Sequence, residues 1–205
     1  MSKATIYVVD DDHSIRCGLR MLFETEGFAV QAHESGEAFL AAYDPGVQGC
    51  LILDLCMPAG MGGLDVQAEL ARRGARLPVV FLSGLGDIPT TVDAIKAGAE
   101  DFLTKPVDFD QLIDKVRSLV DKSQWDADQA REGEVLRARL NELTAREREI
   151  LGLAISGQSS KHIAQQLGLS QRTVENHRLN INKKLRTGNL LEFSHRASRH
   201  GIELG

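Results

Sequence analysis

The 205-residue chain has little of what marks a secreted, membrane-bound or nucleotide-hydrolysing protein. It holds three cysteines, Cys17, Cys50 and Cys56, an odd number without CxxC spacing. That excludes a disulfide scaffold or zinc ribbon and fits a reducing compartment. No apolar run approaches the roughly 20 residues needed to cross a bilayer. The start, Met1-Ser2-Lys3-Ala4, enters strand-like sequence at once and carries no leader pattern, so a cytoplasmic protein without a membrane partner is expected. No glycine-rich phosphate loop follows the first apolar run, which argues against a nucleotide-binding enzyme. Internal repeats and low-complexity segments are also missing. What remains, 42% hydrophobic and 26% charged residues, is the composition of a globular chain with room for one large domain or two small ones.

Charge divides the chain. Residues 1–122 hold eleven Lys/Arg against nineteen Asp/Glu, whereas residues 123–205 hold thirteen against ten. Such asymmetry predicts two domains with different partners, with nucleic acid a candidate for the second. The first part alternates strand-like and helix-like segments. Strands are predicted at Thr5–Val9, Phe28–Gln31, Cys50–Leu53, Pro78–Leu82 and Asp101–Leu103. Helices are predicted near Ser14–Glu26 (capped by Ser14), Gly36–Tyr43, Leu64–Arg73, Thr90–Ala97 and Phe109–Lys122. Five strand–helix units predict an α/β flavodoxin-like, doubly wound, five-stranded parallel sheet over residues 1–122. Residues 123–141, polar and carrying the lone Trp125, read as a partly helical linker. Residues 142–205 read as a small all-α domain of four helices. The first is opened by the capping box Thr144-Ala145-Arg146-Glu147, and the others cover about Ser160–Leu167, Ser170–Leu185 and Leu190–Arg199.

Two apolar runs end in acids. Ile6-Tyr7-Val8-Val9 runs into Asp10-Asp11-Asp12, and Leu51-Ile52-Leu53 runs into Asp54. Sites in open parallel sheets form beyond the carboxyl ends of strands, so Asp10, Asp11 and Asp54 are expected together. Crowded carboxylates raise one another's pKa unless a cation neutralises them. Oxygen ligands of this kind suit a hard divalent ion, Mg2+ or Mn2+. Ser83 and Lys105, the latter before Pro106, fall at two further strand ends.

Acid pair, aspartate, hydroxyl and Lys-Pro, in that order on five strand–helix units, resembles the receiver domain of two-component response regulators over about Ile6–Val120. The resemblance implies that Asp54 accepts a phosphoryl group from a sensor histidine kinase. It implies that Asp11 and Asp54 ligate the metal directly, Asp10 through water, and the main-chain carbonyl of Cys56 as well. Lys105 would pair with the phosphoryl oxygens, and Ser83 would donate a hydrogen bond to them and let the ring of Phe102 rotate inward. The bland readings are a loop acid for Asp12, a core ring for Phe102, and a tolerated side chain for Cys56. The segment Ala59-Gly60-Met61-Gly62-Gly63 looks one residue longer than usual and predicts a mobile loop. Apolar Leu85 and Cys56 flank the path of attacking water and predict slow loss of the phosphoryl group.

The second part carries Leu143-Thr-Ala-Arg-Glu-Arg-Glu-Ile-Leu, Ser159-Ser-Lys-His-Ile-Ala and Thr173-Val-Glu-Asn-His, and resembles the LuxR/FixJ-type helix-turn-helix over about Leu143–Ser198. Together the two resemblances point to the FixJ/NarL group. Between Ser156 and His200 stand eight Lys/Arg, two Glu and four His, a local excess that can neutralise phosphates of double-stranded DNA. Val174, Ile181 and Leu185 have the spacing of a buried face. The resemblance makes Glu175, Asn176 and Leu179 base-facing on the recognition helix. Lys161, Arg172, Arg178, Lys183 and Lys184 are assigned to phosphates, which position without specifying. The implied partners are the kinase, DNA, RNA polymerase and a second copy of the chain, with homodimerisation on activation through the receiver face around Val92, Lys96 and Phe102. Ile15, Leu19 and Pro106 are candidate kinase contacts. The implied protein is a phosphorylation-activated transcription factor, more an activator than a repressor, which is no turnover enzyme. Two rivals stand beside it: a metal-dependent phosphotransferase or phosphatase, and a constitutive DNA-binding regulator with a silent receiver.

Overall fold

A computed structural model describes residues 4–58, 60–84 and 101–204, which fall into two units, Met1–Trp125 and Asp126–Gly205. The helix predicted near Thr90–Ala97, and with it Leu85, Val92 and Lys96, lies outside the described residues.

The first unit is built on five parallel strands: β1 (Thr5–Val9), β2 (Ala29–His33), β3 (Gly49–Asp54), β4 (Val79–Ser83) and β5 (Asp101–Thr104). Their order is β2-β1-β3-β4-β5. Parallel neighbours need crossovers, and α1 (His13–Thr25), α2 (Gly36–Ala42) and α3 (Gly63–Arg72) supply three of them. Strands β1, β3 and β4 are buried along their whole length, which their unbroken apolar runs require. Period-two alternation sends Tyr7, Val9, Leu51, Leu53 and Phe81 into one apolar layer with Phe39, Val66 and Leu70. Ile6, Val8, Ile52, Val80 and Leu82 enter the other with Leu19, Phe23, Leu112 and Val116. Gly49 is required at the start of β3, because a Cβ there would lie 1.9 Å from the Thr5 carbonyl oxygen.

Several boundaries differ from the sequence reading by a residue or two, and two differences have a clear local reason. Helix α1 is capped by Asp12, whose side chain accepts from the Ser14 amide at 2.7 Å, so Ser14 lies inside the helix. An ionised carboxylate one residue upstream accepts the orphan amide better than a hydroxyl. Helix α4 runs from Phe109 to Asn141, through the whole segment read as a partial linker. Only Gly133 interrupts the good helix formers between Ser123 and Asn141 and no proline does, so nothing there stops propagation. Leu136 and Leu140 belong to the core of the second unit, which therefore begins before residue 142.

That second unit contains the end of α4 with α5 (Ala145–Ile155), α6 (Ser160–Leu167), α7 (Gln171–Leu185) and α8 (Leu190–Arg199). Thr144, Ser159, Ser170 and Asn189 cap the last four, and Gly168 ends α6 in the left-handed conformation at φ 66°. The expected Thr144–Glu147 capping box is formed. Val174, Ile181 and Leu185 are fully buried on α7, packed with Ile150, Leu151, Ile163 and Phe193. One buried charge also fastens α7. Glu147 accepts from Lys184 Nζ at 2.7 Å and from the Thr144 amide at 2.8 Å through the same oxygen. Burial pushes the Glu147 carboxyl up, and these donors more than reverse it, leaving it below the usual range. A depressed carboxylate stabilises the fold at neutral pH, and that contribution is lost as pH falls through its folded-state value. Removing Lys184 orphans a buried carboxylate. Lys184→Ala is expected to destabilise the helical unit by about 1–3 kcal/mol. In urea melts the loss should largely vanish in a Glu147→Gln background.

Candidate functional site

The parallel register pairs Val9 with Leu53, so the next residues, Asp10 and Asp54, leave the sheet side by side. This is where strand order reverses around β1, the place at which doubly wound sheets open a crevice. Carboxylate oxygens of Asp10, Asp11 and Asp54 lie within 4.8 Å of one another. Asp10 and Asp54 are buried and Asp11 is exposed, so the cluster has an inner wall and an open side. From the end of β5, Lys105 Nζ reaches 2.8 Å to Asp10 Oδ2 and 2.8 Å to Asp54 Oδ2. The lysine's amide donates to the Ser83 carbonyl at 2.7 Å, and its bond to Pro106 is cis. Ser83 is buried at the end of β4, one residue beyond Leu82, which pairs with Asp54. Phe102 pairs in register with Phe81 and packs, half-buried, on the layer that contains Tyr7 and Phe39. Cys56 is exposed, and its amide donates to Asp54 Oδ1 at 3.2 Å.

Three features of the site had no clear mark in the sequence. Arg16 Nη1 donates to the carbonyls of Asp10 at 2.8 Å and Asp11 at 2.9 Å, holding the turn that carries both acids. Gly63 admits the chain behind Asp54, because a Cβ there would stand 2.5 Å from the Asp54 carbonyl oxygen. In the glycine-rich segment the Met61 amide donates to Glu37 Oε1 at 2.7 Å.

Burial drives the Asp10 carboxyl upward, and the Lys105 ammonium and Asp12 amide only partly oppose it. Burial would pull Lys105 down, but its two carboxylate partners win and hold it above the usual lysine value. Among the described residues, three carboxylates against one ammonium leave an excess of negative charge. All the ligand atoms are oxygens, so the donor set fits a hard divalent cation held by Asp10, Asp11 and Asp54.

On the helical unit, Lys161, Arg172, Glu175, Asn176, Leu179 and Lys183 are exposed, five of them along α7 opposite its buried face. Leu179 is 59% exposed, far too open for a core leucine. Glu175 accepts from Gln171 at 2.8 Å, and Arg178 donates to Ser160 Oγ at 3.5 Å across to α6. Lys184, grouped with the phosphate-facing residues by sequence, is instead engaged by Glu147.

Residues 6–117 match the family model for the response regulator receiver domain, and residues 141–197 match that of the luxR family of bacterial regulatory proteins. The chain is 39% identical over 197 residues to the transcriptional regulatory protein FixJ of Azorhizobium caulinodans, covering 96% of this chain and 93% of that one. The transcriptional regulatory protein TdiR of Thauera aromatica is 39% identical over 205 residues, covering 98% and 90%. The low-resolution structure of the response regulator StyR matches 97% of this chain and all of its own, at 38% identity and TM-score 0.86. The chain belongs to the FixJ-like response regulators. It is a two-component transcriptional regulator, in which the receiver implies a histidine kinase partner and the LuxR-type domain implies DNA. Its relatives are regulators and not enzymes in the usual sense. Among the described residues no helix is long and apolar enough to cross a membrane.

The receiver holds Asp10 at a cost. A carboxyl raised on folding takes up protons more readily folded than unfolded, so stability falls as pH climbs from the ordinary aspartate range through the raised value. Above that raised value the ionised Asp10 therefore opposes folding. Asp10→Asn keeps an acceptor for the Asp12 amide and removes the charge. It is expected to stabilise the metal-free protein by about 0.5–2 kcal/mol. A lower urea midpoint than wild type at pH 7 would refute this.

Proposed function

We propose that Asp54 accepts a phosphoryl group from a sensor histidine kinase, and that this turns the receiver into a dimerising switch for DNA binding and transcription activation. The observation that carries the reading is the Lys105 ammonium, 2.8 Å from both Asp10 and Asp54 in a partly buried site. A fixed cation beside the reacting carboxylate stands where phosphoryl charge would arrive. An Asp54 oxygen attacks phosphorus, the phosphorus–nitrogen bond of the kinase histidine breaks, and the imidazole nitrogen keeps the bonding pair. Mg2+ (or Mn2+) held by Asp10, Asp11 and Asp54, with the Cys56 carbonyl, would spread the charge of the transferring group. Lys105 then pairs with phosphoryl oxygens. The Ser83 hydroxyl turns toward them, and Phe102 fills the space it leaves. The local charge change thereby biases a two-state surface.

Dimerisation would join two weak half-site contacts into one strong one through high effective concentration. On α7, Glu175, Asn176 and Leu179 face bases, with Asn176 suited to adenine. Lys161, Arg172, Arg178 and Lys183 face phosphates, while Lys184 seats the helix. RNA polymerase is the expected partner at the promoter, and the cytoplasm the expected compartment.

Light scattering on the full chain with Mg2+, before and after beryllofluoride, tests the switch. The wild type is expected to double in mass and Asp54→Asn to stay a monomer; an unchanged wild-type mass, with unchanged DNA affinity, would leave the receiver silent. The DNA face makes a separate prediction. Lys183→Ala should weaken binding to all sequences alike and lower the salt slope by about 0.9. Asn176→Ala should cost about 1–3 kcal/mol at the cognate site and little elsewhere. Equal losses on cognate and random DNA would remove Asn176 from base readout.

A further inference from the structure

A cleft with charged residues on its wall lies in the receiver, apart from the carboxylate cluster. It is a cavity of about 330 Å3 between α1, the end of β2 and the start of α2, lined by His13, Arg16, Arg20, His33 and Glu34 with the exposed Cys17 at its side. We infer that this cleft binds a small oxyanion, a ligand bearing carboxylate or phosphate groups.

Charge is the first argument. Two guanidinium groups, which stay protonated in proteins, face one carboxylate, so the cleft is positive even with both imidazoles neutral. Arginine forks match the planar edge of a carboxylate and the oxygens of a phosphate. The second argument is preorganisation. Both bonds from Arg16 to the Asp10 and Asp11 carbonyls are made by Nη1, so the donors on Nη2 and Nε are not used by them. The guanidinium is thus held in place before a ligand arrives, which lowers the entropic cost of binding. The third is an unmet polar group. Among the described residues, His33 Nε2 is buried without a hydrogen-bond partner. A turn of the imidazole ring would bring Nε2–H to the cleft as a donor, and an oxyanion is the acceptor it lacks.

Volume limits the ligand. About 330 Å3 is the small end of ligand pockets, which suits a compact, highly charged molecule. A soft metal is a poorer fit. Cys17 Sγ and His13 Nε2 are 3.4 Å apart, but two guanidinium groups beside them repel a cation and no third ligating atom joins that pair among the described residues. The cleft also shares a wall with the acid cluster. Arg16 lines one and grips the backbone of the other, so an anion that redirects Arg16 would act on the Asp10-Asp11 turn. Any such effect on metal affinity must be mirrored by an equal effect of metal on the anion.

Titration of inorganic phosphate, and separately of citrate, into the full chain tests the site. Metal-free buffer and constant ionic strength are required, and the amide NMR signals of Glu34 and Ala38 report occupancy. Saturable shifts at these two residues are expected, with binding weakened at least tenfold by Arg20→Glu. Arg20 is exposed, and the beryllofluoride response of that variant should match wild type. Tighter binding of phosphate would point to a phosphate ester as the natural ligand, and tighter citrate to a polycarboxylate. No saturation by about 10 mM, a free energy weaker than roughly 3 kcal/mol, would overturn the inference. So would wild-type affinity in Arg20→Glu, or shifts confined to the neighbourhood of Asp54 and Lys105.

Discussion

The receiver depends on one ammonium between two buried carboxylates. Strand pairing forces Asp10 and Asp54 together at the carboxyl end of the sheet, and neither has enough water around it to carry its charge alone. Taking an unpaired carboxylate out of water costs several kcal/mol. Lys105 offsets that by reaching 2.8 Å to each. The surrounding structure serves this contact. The Ser83 carbonyl fixes the lysine backbone, Arg16 fixes the Asp10-Asp11 turn, and Gly63 lets the loop pass behind Asp54. The arrangement is adequate for folding, yet burial still pushes the Asp10 carboxyl upward. Sites that must bind charge are commonly less stable than they could be.

The helical unit solves the opposite problem, presenting charge to solvent on a helix that must not move. Three fully buried aliphatic residues and the Glu147–Lys184 pair hold α7 from behind. Asn176, Leu179 and Lys183 are left outward. The division is sharp because 3.6 residues per turn puts positions 174, 181 and 185 on one stripe and leaves the others no core to enter. Under the proposed reading a rigid seat matters, because a bidentate hydrogen bond to a base tolerates little displacement.

Much of this was legible before any coordinates. Strands β1 and β3 announce themselves as unbroken apolar runs, and the rule that sites open at strand ends puts Asp10 beside Asp54 without further help. The caps at Thr144 and Ser170 and the buried stripe of α7 follow from local chemistry alone. The missed features are those made across the fold. Arg16 binds main-chain carbonyls, which carry no residue signature. Lys184 stands beside Lys183 and reads as one basic cluster, yet it lies three residues after the buried Ile181 and so at the margin of the inward face. That spacing was the available signal, and only the position of Glu147 on a different helix decides it. The length of α4 was misread because a polar helix face and a polar linker have the same composition. What separates them is Leu136 and Leu140 finding a core to enter. The cleft beside α1 combines residues from a helix, a strand end and the next helix, and no spacing in one dimension brings Arg20 to His33.

The charges of the two receiver sites are complementary in a way that bears on control. Among the described residues, the acid cluster carries an excess of negative charge around one ammonium, whereas the cleft behind Arg16 carries an excess of positive charge around one carboxylate. Arg16 belongs to both, and it holds the backbone of the acids rather than their side chains. Its pull therefore sets where Asp10 and Asp11 stand without neutralising either, leaving their oxygens available to a cation. An arginine bonded to the carboxylates themselves would have competed with Lys105 and blocked the cluster. Contact through carbonyls keeps the two sites chemically separate and mechanically joined, which is the condition for one to modulate the other without sharing its ligand.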